Sequence, residues 1–277
     1  RFDKTYSDDK LSSLLEGAIK NLKNKSSVHG SRDYFRIKVE DNLFLEIVPV
    51  RKIEKLSDSK NITDLSYFHV KYINKKIKSQ KILDEIRLAK AFCFANNCYG
   101  AESYIKGFSG YSLELLVYYY GGFLKFLKSI VNVKDDKLII DIEKFYKNKK
   151  DVLMDLNSSK LNSKIILIDP TFKKRNVAAA LSVETFNKFK NACKLFLKNP
   201  SLKYFESKNI DFETLKKNAK LKKQDFVLFE IETDKQAGDI AGSKLLKFYD
   251  HLSKEITLYF KLSNKFLSAD IGKCRCH

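Results

Sequence analysis

The chain has 277 residues, 44% hydrophobic and 31% charged, enough for two or three domains with real cores. Lys plus Arg number 53 against 34 Asp plus Glu, a net charge of +19, so the chain favours polyanions, with nucleic acid ahead of an anionic membrane. No apolar run reaches the roughly 18 residues of a membrane span and no secretory h-region opens the chain. Five scattered cysteines point to a reducing, cytoplasmic setting without a disulfide framework. Because the sequence begins at Arg1 rather than Met, it reads as a trimmed or partial product.

In chain order, Leu11, Leu14, Leu15, Ala18, Ile19 and Leu22 share one face of a helix over 11–22, with Asp8 and Asp9 suited to its first turn. YFRIKV (34–39), a polar turn and LFLEIVPV (43–50) read as a β-hairpin, and Pro49 ends its second strand or places it at an edge. Residues 51–80 are polar and irregular. Helices are predicted at about 80–96 and 112–131, strands at 138–142 and 164–170, and a loop or helix at 144–163. A helix at about 183–198 turns Phe186, Phe189, Cys193, Phe196 and Leu197 inward. NPS (199–201) is a boundary. A polar helix (211–222), a strand FVLFEIE (226–232) and an amphipathic helix (243–262) close the chain. Cys274, Cys276 and His277 suggest zinc, but no second ligand pair is in sight.

Five of the ten glycines lie between residues 99 and 123, in YGAESYIKGFSGYSLELLVYYYGGF. Glycine is used where backbone bends through positive φ or approaches something closely. A glycine-bent entry into a helix presents free N–H groups and a positive dipole, a seat for phosphate. Close helix packing is the plainer reading. The expectation is that Gly107 and Gly110 face RNA, with Ser109 and Ser112 adding hydroxyls, while Gly121 and Gly122 pack.

This segment, DPTFKKRNVAAALS (169–182), FLEIVPV (44–50), DLSYFHVKYINKKI (64–77) and NPSLKYF (199–205) are collinear. Together they resemble the archaeal-type (class I) CCA-adding enzymes, tRNA nucleotidyltransferases of the polymerase-β superfamily. The resemblance implies an α+β fold: a partial nucleotidyltransferase head (1–60), a helical neck (61–133), an α/β body (134–205) and an α/β tRNA-binding tail (206–277). It implies addition of C, C and A to the tRNA 3′ end from CTP and ATP, with two Mg²⁺ ions and without a nucleic-acid template. The tRNA acceptor end would be the partner. A homodimer would form through the tail, and no membrane is involved.

The resemblance also assigns residues. Glu46 matches the third metal-binding carboxylate, a position usually held by Asp, and alternates with Phe44 and Val48 on an apolar face; an edge-strand residue pointing at solvent is the alternative. The first two carboxylates, an Asp-x-Asp pair, would fall just before Arg1. A missing segment or a separate head subunit would then supply them; otherwise the chain is a non-catalytic tRNA- or RNA-binding protein. Ser66, His69, Lys90 and Tyr99 match positions that contact the incoming nucleotide. Lys90 could instead snorkel from an apolar stripe between Ile86 and Phe94, and His69 could be structural. Arg175 and Asn176 match a nucleotide-binding pair in which the arginine reads the incoming base together with the tRNA end, and a guanidinium suits acceptor edges; a solvated KKR helix start is the alternative. Lys216, Lys217 and Lys220 would grip tRNA phosphates, or serve solubility alone.

Overall fold

A computed structural model of the chain describes residues 1–29, 32–41, 43–134, 136–207, 211–231 and 238–267. It is a mixed α+β protein whose contacts divide it into two units, residues 1–206 and 207–277.

The first unit begins with helix α1 (Leu11–Ala18), preceded by a 3₁₀ turn at Asp8–Lys10. Leu11, Leu15 and Ile19 are buried, but the helix stops at Ala18 and Leu22 is exposed. The expected run to residue 22 is cut short because the chain turns, through Asn24 at φ 56°, into strand β1 (Lys25–Val28). Lys-Ser-Ser-Val has no apolar alternation to announce a strand. It pairs antiparallel with β2 (Tyr34–Glu40), which pairs antiparallel with β3 (Leu43–Ile47). The register sets Phe35 opposite Ile47 and Arg36 opposite Glu46. Strand side chains alternate faces, so Phe35 and Ile47 pack with Leu15 and Ile19, while Arg36 and Glu46 occupy the other face.

A buried ionic knot joins this sheet to the next segment. The Arg32 guanidinium donates to Asp64 Oδ1 at 2.7 Å, to the Pro49 carbonyl at 2.9 Å and to Asp8. Asp64 also accepts from the Arg51 amide at 2.9 Å. Asp8 therefore serves as an ion-pair partner just ahead of α1. Residues 66–76, expected to be irregular, form helix α2 (Ser66–Lys76) behind a capping box of Asn61 and Asp64. That box was readable in the sequence; the helix was not, because it buries only Ile73 and shows little apolar periodicity.

Helices α3 (Gln80–Ala95), α4 (Gly110–Tyr120) and α5 (Phe123–Val131) continue the unit. The single helix expected over 112–131 is broken at Gly121 and Gly122, at φ 70° and 135°. The break lets Glu85 on α3 accept from the Phe123 amide at 2.5 Å, a carboxylate at a helix N-terminus where the dipole favours it. A Cβ on Gly122 would lie 2.4 Å from that carboxylate. Gly122→Ala is expected to destabilise the protein by about 1–3 kcal/mol, measured by urea unfolding. An unchanged midpoint would mean that the break is not held by this contact.

Strands β4 (Leu138–Ile140) and β5 (Ile165–Leu167) pair in parallel, with helix α6 (Lys149–Asp155) between them in sequence. Helix α7 (Val183–Lys198) buries Phe186, Phe189, Cys193 and Phe196, the inward face its spacing predicts. Phe92, Phe108, Phe126 and Phe189 are fully buried in the shared core, with Phe108 and Phe189 ring centroids 4.8 Å apart in an edge contact. Cys93, Cys98 and Cys193 are buried free thiols.

The second unit contains helices α8 (Phe212–Leu221) and α9 (Gly238–Tyr259). The strand expected at 226–232 is not formed over 226–231, where Val227, Leu228, Phe229 and Ile231 are exposed. A strand needs a ladder partner, and none is present for it among the described residues. Residue 232 and the Cys274, Cys276 and His277 cluster lie outside the described residues. Among the described residues no helix is long and apolar enough to cross a membrane.

Candidate functional site

The site is built around the end of β5. After Leu167 the chain passes through Ile168 and Asp169 into a tight loop. The Phe172 amide donates to the Asp169 carbonyl at 3.1 Å, and the Asp169 amide donates to the Arg175 carbonyl at 3.0 Å. The loop thereby returns Arg175 alongside Asp169. The Asp169 side chain is fully buried. Its Oδ1 accepts from the Thr171 amide at 2.8 Å, the Thr171 hydroxyl at 2.7 Å and the Tyr111 hydroxyl at 3.3 Å. Its Oδ2 accepts from Arg175 Nη1 at 2.7 Å and lies 3.1 Å from His69 Nε2. Burial pushes the Asp169 pKa up, but the hydrogen bond and charge of His69, followed by the hydrogen bonds of Thr171, outweigh it and hold the carboxyl at about 2.

His69, from α2, stacks on Tyr111 of α4 with centroids 4.1 Å apart and planes at 20°. Its Nε2 is 3.1 Å from both Asp169 Oδ2 and Arg175 Nη1. A ring nitrogen either donates to the carboxylate or accepts from the guanidinium, so the tautomer decides which contact is the hydrogen bond. Histidine and arginine, 106 residues apart in sequence, thus meet on one buried carboxylate. Sequence reasoning saw both residues but not Asp169 or Tyr111 as their support. Asp169 stands in the sequence only as the first residue of the DPTFKKRNVAAALS segment, and an acid directly after the apolar run Ile165–Ile168 was the available signal.

Asn176, expected to contact the nucleotide, is buried, and its amide serves the main chain. Its Oδ1 accepts from the Leu167 and Ala178 amides, both at 2.9 Å, and its Nδ2 donates to the Lys160 carbonyl at 2.8 Å. It ties β5 to the loop that carries Arg175, so its part is to position that arginine. Arg175, with its side chain about a fifth exposed, lines an open groove of about 410 Å³ together with Ile62, Ala101, Ser109, Phe172 and Ala180.

The glycine-rich segment supplies a neighbouring cluster. Lys90 of α3 bonds Glu114 of α4 at 2.7 Å. A Cβ on Gly110, the first residue of α4, would lie 3.1 Å from the Tyr99 hydroxyl and 3.7 Å from Lys90 Nζ. Lys90, Tyr99 and Gly110 therefore converge at one helix N-terminus. Ser109 is the N-cap, its hydroxyl accepting from the Ser112 amide at 3.1 Å. Two expectations are corrected. Gly107 is buried against main chain rather than facing outward: a Cβ there would lie 2.3 Å from the Cys98 carbonyl oxygen. Ser112 is fully buried and donates to the Ser109 carbonyl at 2.7 Å, which leaves it no surface for RNA. Gly107 turns inward because residues 98–100 and 107–108 are cross-linked by main-chain hydrogen bonds, and Ser112 because it closes the N-cap of α4 onto Ser109.

Glu46 is about half exposed on the open face of the three-stranded sheet and is held by Arg36, at 2.7 Å from Nη2 and 3.1 Å from Nε. The flanking Phe44 and Val48 are themselves exposed, so the face is apolar but not covered. Among the described residues no three His, Cys, Asp or Glu side chains converge as metal ligands. A divalent cation takes several oxygen ligands, and one carboxylate already paired with arginine does not make its site. Ser66, the first residue of α2, is exposed. Lys216, Lys217 and Lys220 are exposed on α8.

Comparison with known proteins bears on the family of this stretch. Residues 84–206 match the family model of the tRNA nucleotidyltransferase second domain. This is the stretch that carries Lys90, Tyr99, Asp169 and Arg175. The CCA-adding enzyme of Nanoarchaeum equitans is 39% identical over 161 residues, covering 58% of this chain and 40% of that one. That of Methanocaldococcus jannaschii is 31% identical over 282 residues, covering 99% and 61%. That of Archaeoglobus fulgidus is 29% identical over 234 residues, covering 79% and 47%. The chain is thus similar to the tRNA nucleotidyltransferases over residues 84–206. The relatives it resembles are archaeal CCA-adding enzymes, as its motifs implied. It spans between 40% and 61% of the length of these three relatives.

Proposed function

We propose that the chain is part of a tRNA nucleotidyltransferase that adds CCA to tRNA 3′ ends from CTP and ATP. The observation that carries this reading is the placement of Arg175 on the wall of an open groove, held by Asp169 and beside His69. In this reading Arg175 meets the acceptor edge of the incoming base. Lys90 and Tyr99, gathered at the N-terminus of α4, meet its triphosphate, as do Ser66 and His69 of α2. Ser109 and Gly110 take the acceptor end of the tRNA. Lysine would leave Glu114 for phosphate, because an anion at a helix N-terminus adds the helix dipole to the ammonium charge. Residues 1–60 serve as partial head, 61–133 as neck, 134–205 as body and 206–277 as tail; the division of contacts after residue 206 supports the last of these boundaries. Buried free cysteines suit a cytoplasmic setting, and the exposed apolar residues at 227–231 suit a homodimer through the tail.

Nucleotidyl transfer in this class would need Mg²⁺ to bind the triphosphate. Glu46 would contribute one ligand after release from Arg36, and the remaining carboxylates would come from a further segment or a partner head subunit. The Glu46–Arg36 pair equally favours a second reading, a tRNA-binding protein without catalysis. The test is incorporation of labelled CTP and ATP into tRNA lacking CCA, with the chain alone and with a head segment carrying an Asp-x-Asp strand. Incorporation dependent on that segment supports the enzyme; tight tRNA binding without incorporation in either case supports the second reading. Under both readings, Lys216→Ala, Lys217→Ala and Lys220→Ala together are expected to weaken tRNA binding and flatten its log–log salt dependence by about 2–3. An unchanged salt slope would assign these lysines to solubility alone.

A further inference from the structure

We infer that Asp169 is the positioning residue that turns Arg175 into a rigid donor pair, so that selection among bases depends on the buried carboxylate as much as on the arginine. The inference rests on the proposed function for its ligand, a nucleoside triphosphate, but not for its geometry. An arginine on a surface loop samples many rotamers and bends toward whatever acceptor is offered. Arg175 is denied that freedom. Its Nη1 is occupied by Asp169 Oδ2 at 2.7 Å, with His69 Nε2 at 3.1 Å from the same atom. The carboxylate cannot rotate to follow it, because Oδ1 is anchored by two donors of Thr171 and by the Tyr111 hydroxyl. Tyr111 also stacks on His69, which holds the ring against the guanidinium. The main-chain bond from the Asp169 amide to the Arg175 carbonyl fixes the distance between the two residues.

One side of the guanidinium is therefore committed. Nε and Nη2 make no hydrogen bond among the described residues, on a side chain that lines the groove. A planar pair of donors at fixed spacing accepts only bases whose acceptors match it, whereas a mobile guanidinium would accept more of them. The consequence is a division of labour: Arg175 supplies affinity, and Asp169 supplies discrimination.

Two measurements on the full chain test this. In nitrogen-detected NMR, with Arg175→Lys used to assign the signal, wild-type Arg175 is expected to show resolved Nη resonances from slow rotation about Cζ–Nε. Asp169→Asn is expected to speed that rotation at least tenfold. In calorimetric titrations with CTP, ATP, UTP and GTP, Asp169→Asn is expected to lose about tenfold in preference for CTP and ATP, with a smaller loss of affinity for either. Rotation in the wild type as fast as that of exposed Arg87 overturns the inference, as does faster rotation in Asp169→Asn with the preference intact. Should Asp169→Asn fail to fold, Thr171→Val removes one 2.7 Å anchor and keeps the carboxylate. It is expected to show intermediate rotation, and wild-type rotation in it overturns the inference. A wild-type chain with slow Arg175 rotation that binds none of the four nucleotides overturns the proposed function while upholding the clamp.

Discussion

Replacing Gly107 with alanine is expected to lower the stability of the first unit by about 3 kcal/mol. That corresponds to roughly 6–12 °C in Tm for a unit of this size, measured by thermal and urea unfolding. The added Cβ would sit 2.3 Å from the Cys98 carbonyl oxygen, 2.7 Å from its carbon and 3.0 Å from the Gly100 oxygen. All three are main-chain atoms, so no side-chain rotation relieves the overlap. Nor can the segments simply part. The Gly107 amide donates to Gly100 at 2.7 Å, and the Phe108 amide donates to Cys98 at 2.8 Å. Forcing them apart would move Tyr99 away from Gly110 and Lys90, so under the proposed function nucleotide binding is expected to weaken even in the folded fraction. Gly17→Ala is the matched control. Nothing lies within 4 Å of a Cβ there, and in helix α1 the change is expected to stabilise by about 0.5–1 kcal/mol. Equal effects at the two glycines would refute the steric account.

Asp169→Ala is expected to cost about 3–5 kcal/mol at neutral pH, because removing one partner of a buried ionic cluster leaves the others unpaired. The pH dependence has a definite sign. The folded carboxyl titrates at about 2, below its ordinary value of 3.8. Its contribution is therefore full above 3.8 and is lost as pH falls through about 2. The gap between the two values is worth about 2 kcal/mol. The stability difference between wild type and Asp169→Ala, followed by urea unfolding, is expected to narrow between pH 4 and pH 2. A constant difference across that window would show that the loss is one of packing rather than of charge.

Much of the architecture was legible from periodicity and turn chemistry. The inward face of α7 followed from apolar spacing, and the β2–β3 hairpin from alternation around a polar turn. Elements held by their partners rather than by their own pattern were not legible. Strand β1 carries two serines and a lysine and exists because β2 offers it a ladder. The supposed strand at 226–232 has the apolar pattern but no partner over its described part. The glycine segment shows both outcomes. Its composition announced tight backbone, but only the fold assigns Gly107 to a main-chain crossing, Gly110 to the Tyr99 and Lys90 cluster, and Gly122 to the Glu85 cap.

The sequence by itself determined the net charge of +19, the mixed helix and strand character, the order of the main helices and the residue types gathered at the candidate site. Those properties are local, or are sums over residues, and need no knowledge of distant neighbours. Tertiary structure alone decided that His69, Tyr111 and Arg175 share the Asp169 carboxylate, that Asn176 serves the backbone, and that Glu46 pairs with Arg36. At Asp169 and Asn176 the groups come together across the chain, and burial makes the unpaired state of a charge or amide too costly to keep; the half-exposed Glu46–Arg36 pair is set by the register of the hairpin.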